Sequence, residues 1–161
     1  MTKKVFIIRH AEADWPEKKQ RDFDRVLTQK GKTDAPKMGR LLASNSIFPD
    51  AIISSTANRA ITTAQLIAKE IHFPLDKIIK RKGIYNADVN DIFKIIESLD
   101  NNWNTVFLFG HNPTFSITVN KLCGIYHDSL PPCSVVGIEL PIDDWAAVSE
   151  GIGTNIYHEQ P

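Results

Sequence analysis

The sequence predicts an α/β fold, a three-layer α/β/α arrangement on a mostly parallel central sheet, with residues 1–161 forming one compact domain. Three observations carry that expectation. First, the runs Val5-Phe6-Ile7-Ile8, Ala51-Ile52-Ile53 and Thr105-Val106-Phe107-Leu108-Phe109 have the β-branched and aromatic content of strands buried on both faces. Second, segments with helical apolar spacing follow these runs, and strand-then-helix alternation puts helices on both faces of a parallel sheet. Third, each run gives way to a polar stretch bearing an arginine or a histidine: Arg9-His10, Arg59 and His111. The carboxyl edge of such a sheet is where ligands bind.

Composition narrows the function classes. A chain of 161 residues with 42% hydrophobic content can bury its own core without disulfides or metals. Lysine plus arginine and aspartate plus glutamate balance at 19 each, which argues against a nucleic-acid partner or an anionic membrane surface. Anion recognition must then be local. Cys123 and Cys133 have no metal-ligand spacing and read as small apolar filler. The N-terminus lacks an apolar segment long enough for a leader or a membrane span, so a cytoplasmic protein is expected. A monomer is the expected state.

Taken in order, the first strand is followed by a polar, irregular loop over residues 13–25, placed to cover a pocket. Thr28 is a cap candidate for a helix carrying Met38, Leu41 and Leu42, with Pro36 tolerable only near that helix's start. The strand Ala51–Ser54 leads into a helix with Ile61, Ala64, Ile67, Ala68 and Ile71 on one face, and Ser55 or Thr56 as its N-cap. Arg59 falls in the first turn, where a cation opposes the helix dipole, a placement better explained by a bound anion. A short strand at Ile78-Ile79 and a helix over residues 88–100 follow, and Asn101-Asn102 breaks that helix. Pro113 opens the helix after the third strand, with free amides that would face an anion. Residues 134–140 read as a half-buried strand, and Trp145–Val148 with Ile152–Tyr157 as a hairpin or a strand with a ragged tail.

Right-handed crossovers bring the strand ends to one edge, so Arg9, His10, Arg59 and His111 are expected to converge. Two forked guanidiniums suit a tetrahedral dianion, which points to a phosphoryl substrate. The nucleophile must be a neutral imidazole, since a protonated ring has no lone pair for phosphorus. Arginines near His10 favour that state, and a backbone carbonyl holding the proton on its other nitrogen would aim the lone pair. His111 then joins the arginines in stabilising the equatorial oxygens as the group passes in line to His10, and water releases it. No cofactor and no metal is expected in so cationic a pocket.

Arg9-His10-Ala11-Glu12 resembles the R-H-G or R-H-A signature of the histidine phosphatase superfamily, which includes the cofactor-dependent phosphoglycerate mutases. Ser54-Ser55 with Arg59-Ala60 and Thr63-Ala64 is similar to that family's second arginine motif, and Gly110-His111-Asn112-Pro113 to its second histidine. Asp22 with Arg25, Leu27-Thr28 before Gly31, and Asp34-Ala35 resemble most closely the short SixA-type phosphohistidine phosphatases. The resemblance implies a phosphoglycerate mutase-like fold, His10 as the phosphorylated nucleophile, and Arg9, Arg59 and His111 as phosphate-binding residues. The implied partner is a phosphorylated protein bearing phosphohistidine, or else a small phosphate compound. Asp22 and Arg25 read as a structural pair that orders the loop. One departure stands out: mutase-like relatives place a glutamate acid where this chain has Ile84-Tyr85-Asn86-Ala87, Asp88 reads as a helix cap, and Glu12 is the remaining acid candidate. An alkoxide leaves poorly without a proton donor, whereas a phosphorylated imidazole can leave neutral, so the departure favours phosphohistidine. The alternatives are a phosphomonoester phosphatase and a non-enzymatic phosphate-recognition module.

Overall fold

The computed structural model describes residues 2–15, 19–125 and 128–161. Its elements are β1 (Lys3–Arg9), α1 (Gln29–Ser44), β2 (Ala51–Ser54), α2 (Asn58–Glu70), β3 (Ile79–Lys80), α3 (Val89–Glu97), β4 (Thr105–Gly110), α4 (Thr114–Cys123), β5 (Val135–Leu140) and β6 (Thr154–Glu159). The strands form one sheet in the order β3-β2-β4-β1-β5-β6. Its β3-β2-β4-β1 portion is parallel, and β5 and β6 complete the β1 side antiparallel. The mostly parallel α/β sheet is as the sequence predicts, and the antiparallel edge is what the last third of the chain adds.

Strand alternation divides the core into two layers. Val5, Ile7, Val106 and Leu108 face α3, α4 and Trp145, while Phe6, Ile8, Phe107 and Phe109 face α1 and α2. Because successive strand residues point to opposite faces, an unbroken apolar run supplies both layers at once.

Four local expectations are corrected. α1 starts at Gln29 because the Thr28 hydroxyl accepts from Gly31 N at 3.0 Å, which leaves Pro36 inside the helix rather than near its start. The backbone bond that Pro36 cannot make falls at Lys32, an exposed residue. The α2 cap position is Ala57, with neither Ser55 nor Thr56 as N-cap residue. β5 is buried rather than half-buried: the Phe6 ring lies against Gly137, and a Cβ there would sit 2.5 Å from Phe6 Cε2. Finally, residues 145–148 form no hairpin strand. Trp145–Ala147 is a 3₁₀ turn capped by the Asp144 side chain, and the fully buried Trp145 donates its indole N–H to the Trp103 carbonyl at 2.9 Å.

The predicted loop over residues 13–25 is bridged at one end, Ala13 to Leu27, and carries a 3₁₀ turn at Asp22–Asp24. Residues 16–18 of that loop lie outside the described residues. Among the described residues, no helix is long and apolar enough to cross a membrane.

Candidate active site

The registers Arg9↔Gly110 and Ser54↔Phe109 align the carboxyl ends of β1, β4 and β2. The next residues extend this pairing, with His10 N donating to Gly110 O at 3.0 Å and Ser55 N to Phe109 O at 2.9 Å. Three distant stretches of chain therefore deliver their side chains to one place. The rings of His10 and His111 lie 5.4 Å apart between centroids, and both residues are buried together with Arg59. Arg9 and Arg59 are close enough to act electrostatically on both imidazoles.

His10 is aimed by its own chain. Its Nδ1 lies 2.7 Å from the Ala11 carbonyl, which can only accept, so Nδ1 carries the proton and Nε2 keeps the lone pair. Thr63 fixes that turn to α2: its hydroxyl accepts from Ala11 N at 3.0 Å and donates to the Arg59 carbonyl at 2.7 Å. Burial pulls the His10 pKa down to about 4, with Arg59, Arg9 and Arg25 adding to the depression and the Ala11 hydrogen bond opposing it. His111 falls to about 3, again chiefly by burial, with the neighbouring His10 and the arginines lowering it further. Both rings are neutral at pH 7.

Arg9 is held from the loop before β5, donating to the Leu130 carbonyl at 2.7 Å. Asn112 anchors that loop by donating to the same carbonyl and to Ser129 Oγ, while its own oxygen accepts from Ser116 N and Oγ. Arg59 donates to the Asp22 carbonyl at 2.8 Å and to its carboxylate at 3.1 Å. Five buried side-chain polar atoms have no protein partner among the described residues: Arg9 Nε, Arg59 Nε, His111 Nδ1, Thr56 Oγ1 and Tyr157 Oη. The three nitrogens all belong to this cluster. Buried polar atoms are normally paired, and one anion would pair the two guanidinium Nε–H donors and lie beside His111.

Two expectations about the surroundings change. Two of the α4 amides are not free for an anion, because Phe115 N donates to His111 O and Ser116 N to Asn112 Oδ1. Asp22 does more than order a loop. It pairs with Arg25 at 3.2 Å, but its carboxylate also accepts from Arg59 and, at 2.6 Å, from the Tyr85 hydroxyl. The Tyr85 hydrogen bond, with Arg25 and Arg59, lowers the Asp22 pKa to about 2, against the opposing effect of burial. Tyr85 packs edge-on to His111 with centroids 5.6 Å apart and borders a cleft of about 280 Å³ lined also by Asn86, Asn112 and Thr114. Sequence reading missed Tyr85, which no motif marks, and missed the Ser55 contact to His111 Nε2 at 2.7 Å. Asp88 caps α3 in a reciprocal capping box with Asp91, as expected. Glu12 lines a separate cleft with Lys30, Pro131 and Gln160.

Solved structures share this architecture. The SixA protein of Agrobacterium tumefaciens, assigned to the phosphohistidine phosphatases, superposes with a TM-score of 0.83 over 99% of this chain and 98% of its own, at 26% identity. A protein histidine phosphatase SixA complexed with tungstate gives 0.83 over 98% and 96% at 21% identity, a likeness of fold. In sequence, a 2,3-bisphosphoglycerate-dependent phosphoglycerate mutase of Mycobacterium leprae is 39% identical over 67 residues, covering 40% of this chain and 27% of the mutase. The chain spans only 27% to 33% of the length of the curated relatives it matches first. The profile of the histidine phosphatase superfamily (branch 1) matches residues 5–92, a stretch that holds Arg9, His10 and Arg59 and stops short of His111. With more than half of the sequence inside that match and the mutase-like fold around it, the chain belongs to the histidine phosphatase superfamily.

Proposed function

We propose that this protein is a phosphatase that passes a phosphoryl group through His10 and acts on phosphohistidine in a protein. The observation that carries the reading is the His10 Nδ1–Ala11 carbonyl bond, which leaves the Nε2 lone pair free beside a cluster where Arg9 Nε, Arg59 Nε and His111 Nδ1 lack protein partners. In the first step Nε2 attacks phosphorus and the bond from phosphorus to the leaving nitrogen breaks. The substrate reacts in the form protonated on its distal ring nitrogen, so that the departing imidazole keeps that proton and leaves neutral. In the second step water attacks phospho-His10, the P–N bond breaks, and inorganic phosphate departs as neutral His10 is restored. Arg9, Arg59 and His111 stabilise the charge on the equatorial oxygens in both steps.

The choice of an N–P substrate over an ester rests on the carboxyl groups. Asp22 stays ionised far below neutral pH, Asp88 is engaged in the α3 cap, and Glu12 lines another cleft. Neither Asp22 nor Asp88 then has a proton to give an alkoxide leaving group, and Glu12 borders a different cleft. Similarity to the Agrobacterium tumefaciens SixA protein over nearly the full length of both chains supports the same substrate class.

His10→Ala tests the mechanism. With a phosphorylated histidine-containing phosphotransfer domain as substrate, the variant should lose at least about 10³-fold in kcat/KM, as removal of a covalent nucleophile requires. Unimpaired dephosphorylation would remove His10 from the chemistry. Faster turnover of sugar phosphates or nucleotides than of the phosphoprotein by the unaltered enzyme would move the substrate to the phosphomonoesters.

A further inference from the structure

From the hydrogen bonds around the second imidazole, we infer that Ser55 is a positioning residue that locks His111 as its Nδ1–H tautomer, so that a neutral ring donates to the bound anion. The inference rests on the phosphoryl reading of the site and adds to it the residue that decides whether His111 attracts or repels phosphate.

Ser55 is completely buried, and its Oγ has one hydrogen and two lone pairs. Ala57 N donates to that oxygen at 3.2 Å, and His111 Nε2 lies 2.7 Å from it. If Nε2 carried the ring proton, Oγ would accept twice and its own hydrogen would have no acceptor among the contacts present. His111 Nδ1, buried and without a protein partner, would then turn a lone pair toward the anion beside Arg9 and Arg59. If Ser55 donates to Nε2 instead, each group is satisfied: Oγ accepts once and donates once, Nε2 accepts, and Nδ1–H is left to meet a phosphoryl oxygen. Burial keeps the ring neutral far below pH 7, so the tautomer rather than the charge sets what Nδ1 presents.

The hydroxyl is held in place for this task. Ser55 N donates to Phe109 O of β4 at 2.9 Å, and its carbonyl accepts from Ser54 Oγ at 2.9 Å, so both its N–H and its C=O are held. The Nε2–H tautomer is the more populated form of a free histidine side chain. A lock onto the other form therefore leaves a signature that a purely structural serine would not.

Long-range 1H–15N correlation spectra at pH 7 read the tautomer directly, and tungstate titration reads its consequence. In the unaltered protein His111 should show a protonated Nδ1 and an unprotonated Nε2. In Ser55→Ala it should shift toward Nε2–H, and tungstate affinity should fall about 10-fold or more, the effect of losing a donor to a charged group. Ser55→Thr, which keeps the hydroxyl, should restore the Nδ1–H signature. An Nε2–H tautomer in the unaltered protein overturns the inference even if Ser55→Ala does not fold. So does an unchanged tautomer in a folded Ser55→Ala, or a changed tautomer with unchanged tungstate affinity. Failure of the phosphatase reading would appear separately, as normal phosphohistidine turnover by His10→Ala with the His111 spectrum intact.

Discussion

His10 and His111 share burial but use it differently. His10 offers a lone pair through Nε2 because a carbonyl holds its Nδ1 proton, whereas His111 meets a serine hydroxyl through Nε2 and leaves Nδ1 buried without a protein partner. The pKa values, lowered to about 4 and about 3, carry a pH prediction with a definite sign. An unfolded histidine binds its proton near pH 6.5 while these remain unprotonated, so between about 4 and 6.5 the unfolded state binds more protons. The contribution of these residues to stability is therefore complete above pH 6.5 and is lost as pH falls toward 4. Histidine C2–H resonances followed from pH 7.5 to 4.5 should show His10 and His111 neutral at pH 5.5, when an exposed histidine is mostly protonated. Titration of either ring near 6.5 would contradict the burial argument.

At the scale of elements, β1 is tied down at one end and leads into the proposed nucleophile at the other. Lys3 is almost fully buried, and its ammonium donates to Asn101 O at 2.7 Å, Trp103 O at 3.1 Å and Asn104 Oδ1 at 2.9 Å. All three of its donors are used, and the turn between α3 and β4 is organised around them. Lys3→Met keeps most of the volume but leaves two carbonyls and an amide oxygen without their charged donor. We expect a loss of about 3 kcal/mol in urea unfolding with an unchanged m-value, since hydrogen bonds to charged groups contribute about 1.5–3 kcal/mol each and do not add fully. Turnover by the folded fraction should be unchanged, because Lys3 opens the strand that His10 follows. A loss below about 1 kcal/mol would show that water replaces the ammonium at little cost.

Across the whole molecule, Asp22 is where distant parts of the chain meet. The segment between β1 and α1 supplies the carboxylate, α2 supplies Arg59, and the turn before α3 supplies Tyr85, whose ring also packs against Phe23 at 5.1 Å. The carboxylate sets a negative charge against the Arg59 guanidinium, which in the proposed mechanism holds the phosphoryl group. Asp22→Asn removes that charge while leaving the Asp22 carbonyl to hold Arg59. Tungstate affinity should rise roughly 5-fold at low salt, the scale of one charge at several ångströms in a partly solvated site, and the gain should shrink as salt is added. A weaker affinity would instead mean that the carboxylate's main task is to hold Arg59 in place.

The sequence by itself determined the layers and the chemistry on offer. Short continuous apolar runs rich in β-branched and aromatic residues read as strands covered on both sides, and Arg9-His10, Arg59 and His111 stand where those runs and their following turns place them. It also marked Thr28 and Asp88 as caps, because a cap acts within one turn of its own position. Only the tertiary structure decided the groups that act across the chain: Ser55 on His111, Tyr85 and Arg59 on Asp22, and Phe6 against Gly137, which turns an apparent solvent face into core. Periodicity reports which face a residue turns inward. It carries no record of which distant side chain it finds there, because that depends on strand order and register, and these are fixed by the packing of all the layers together.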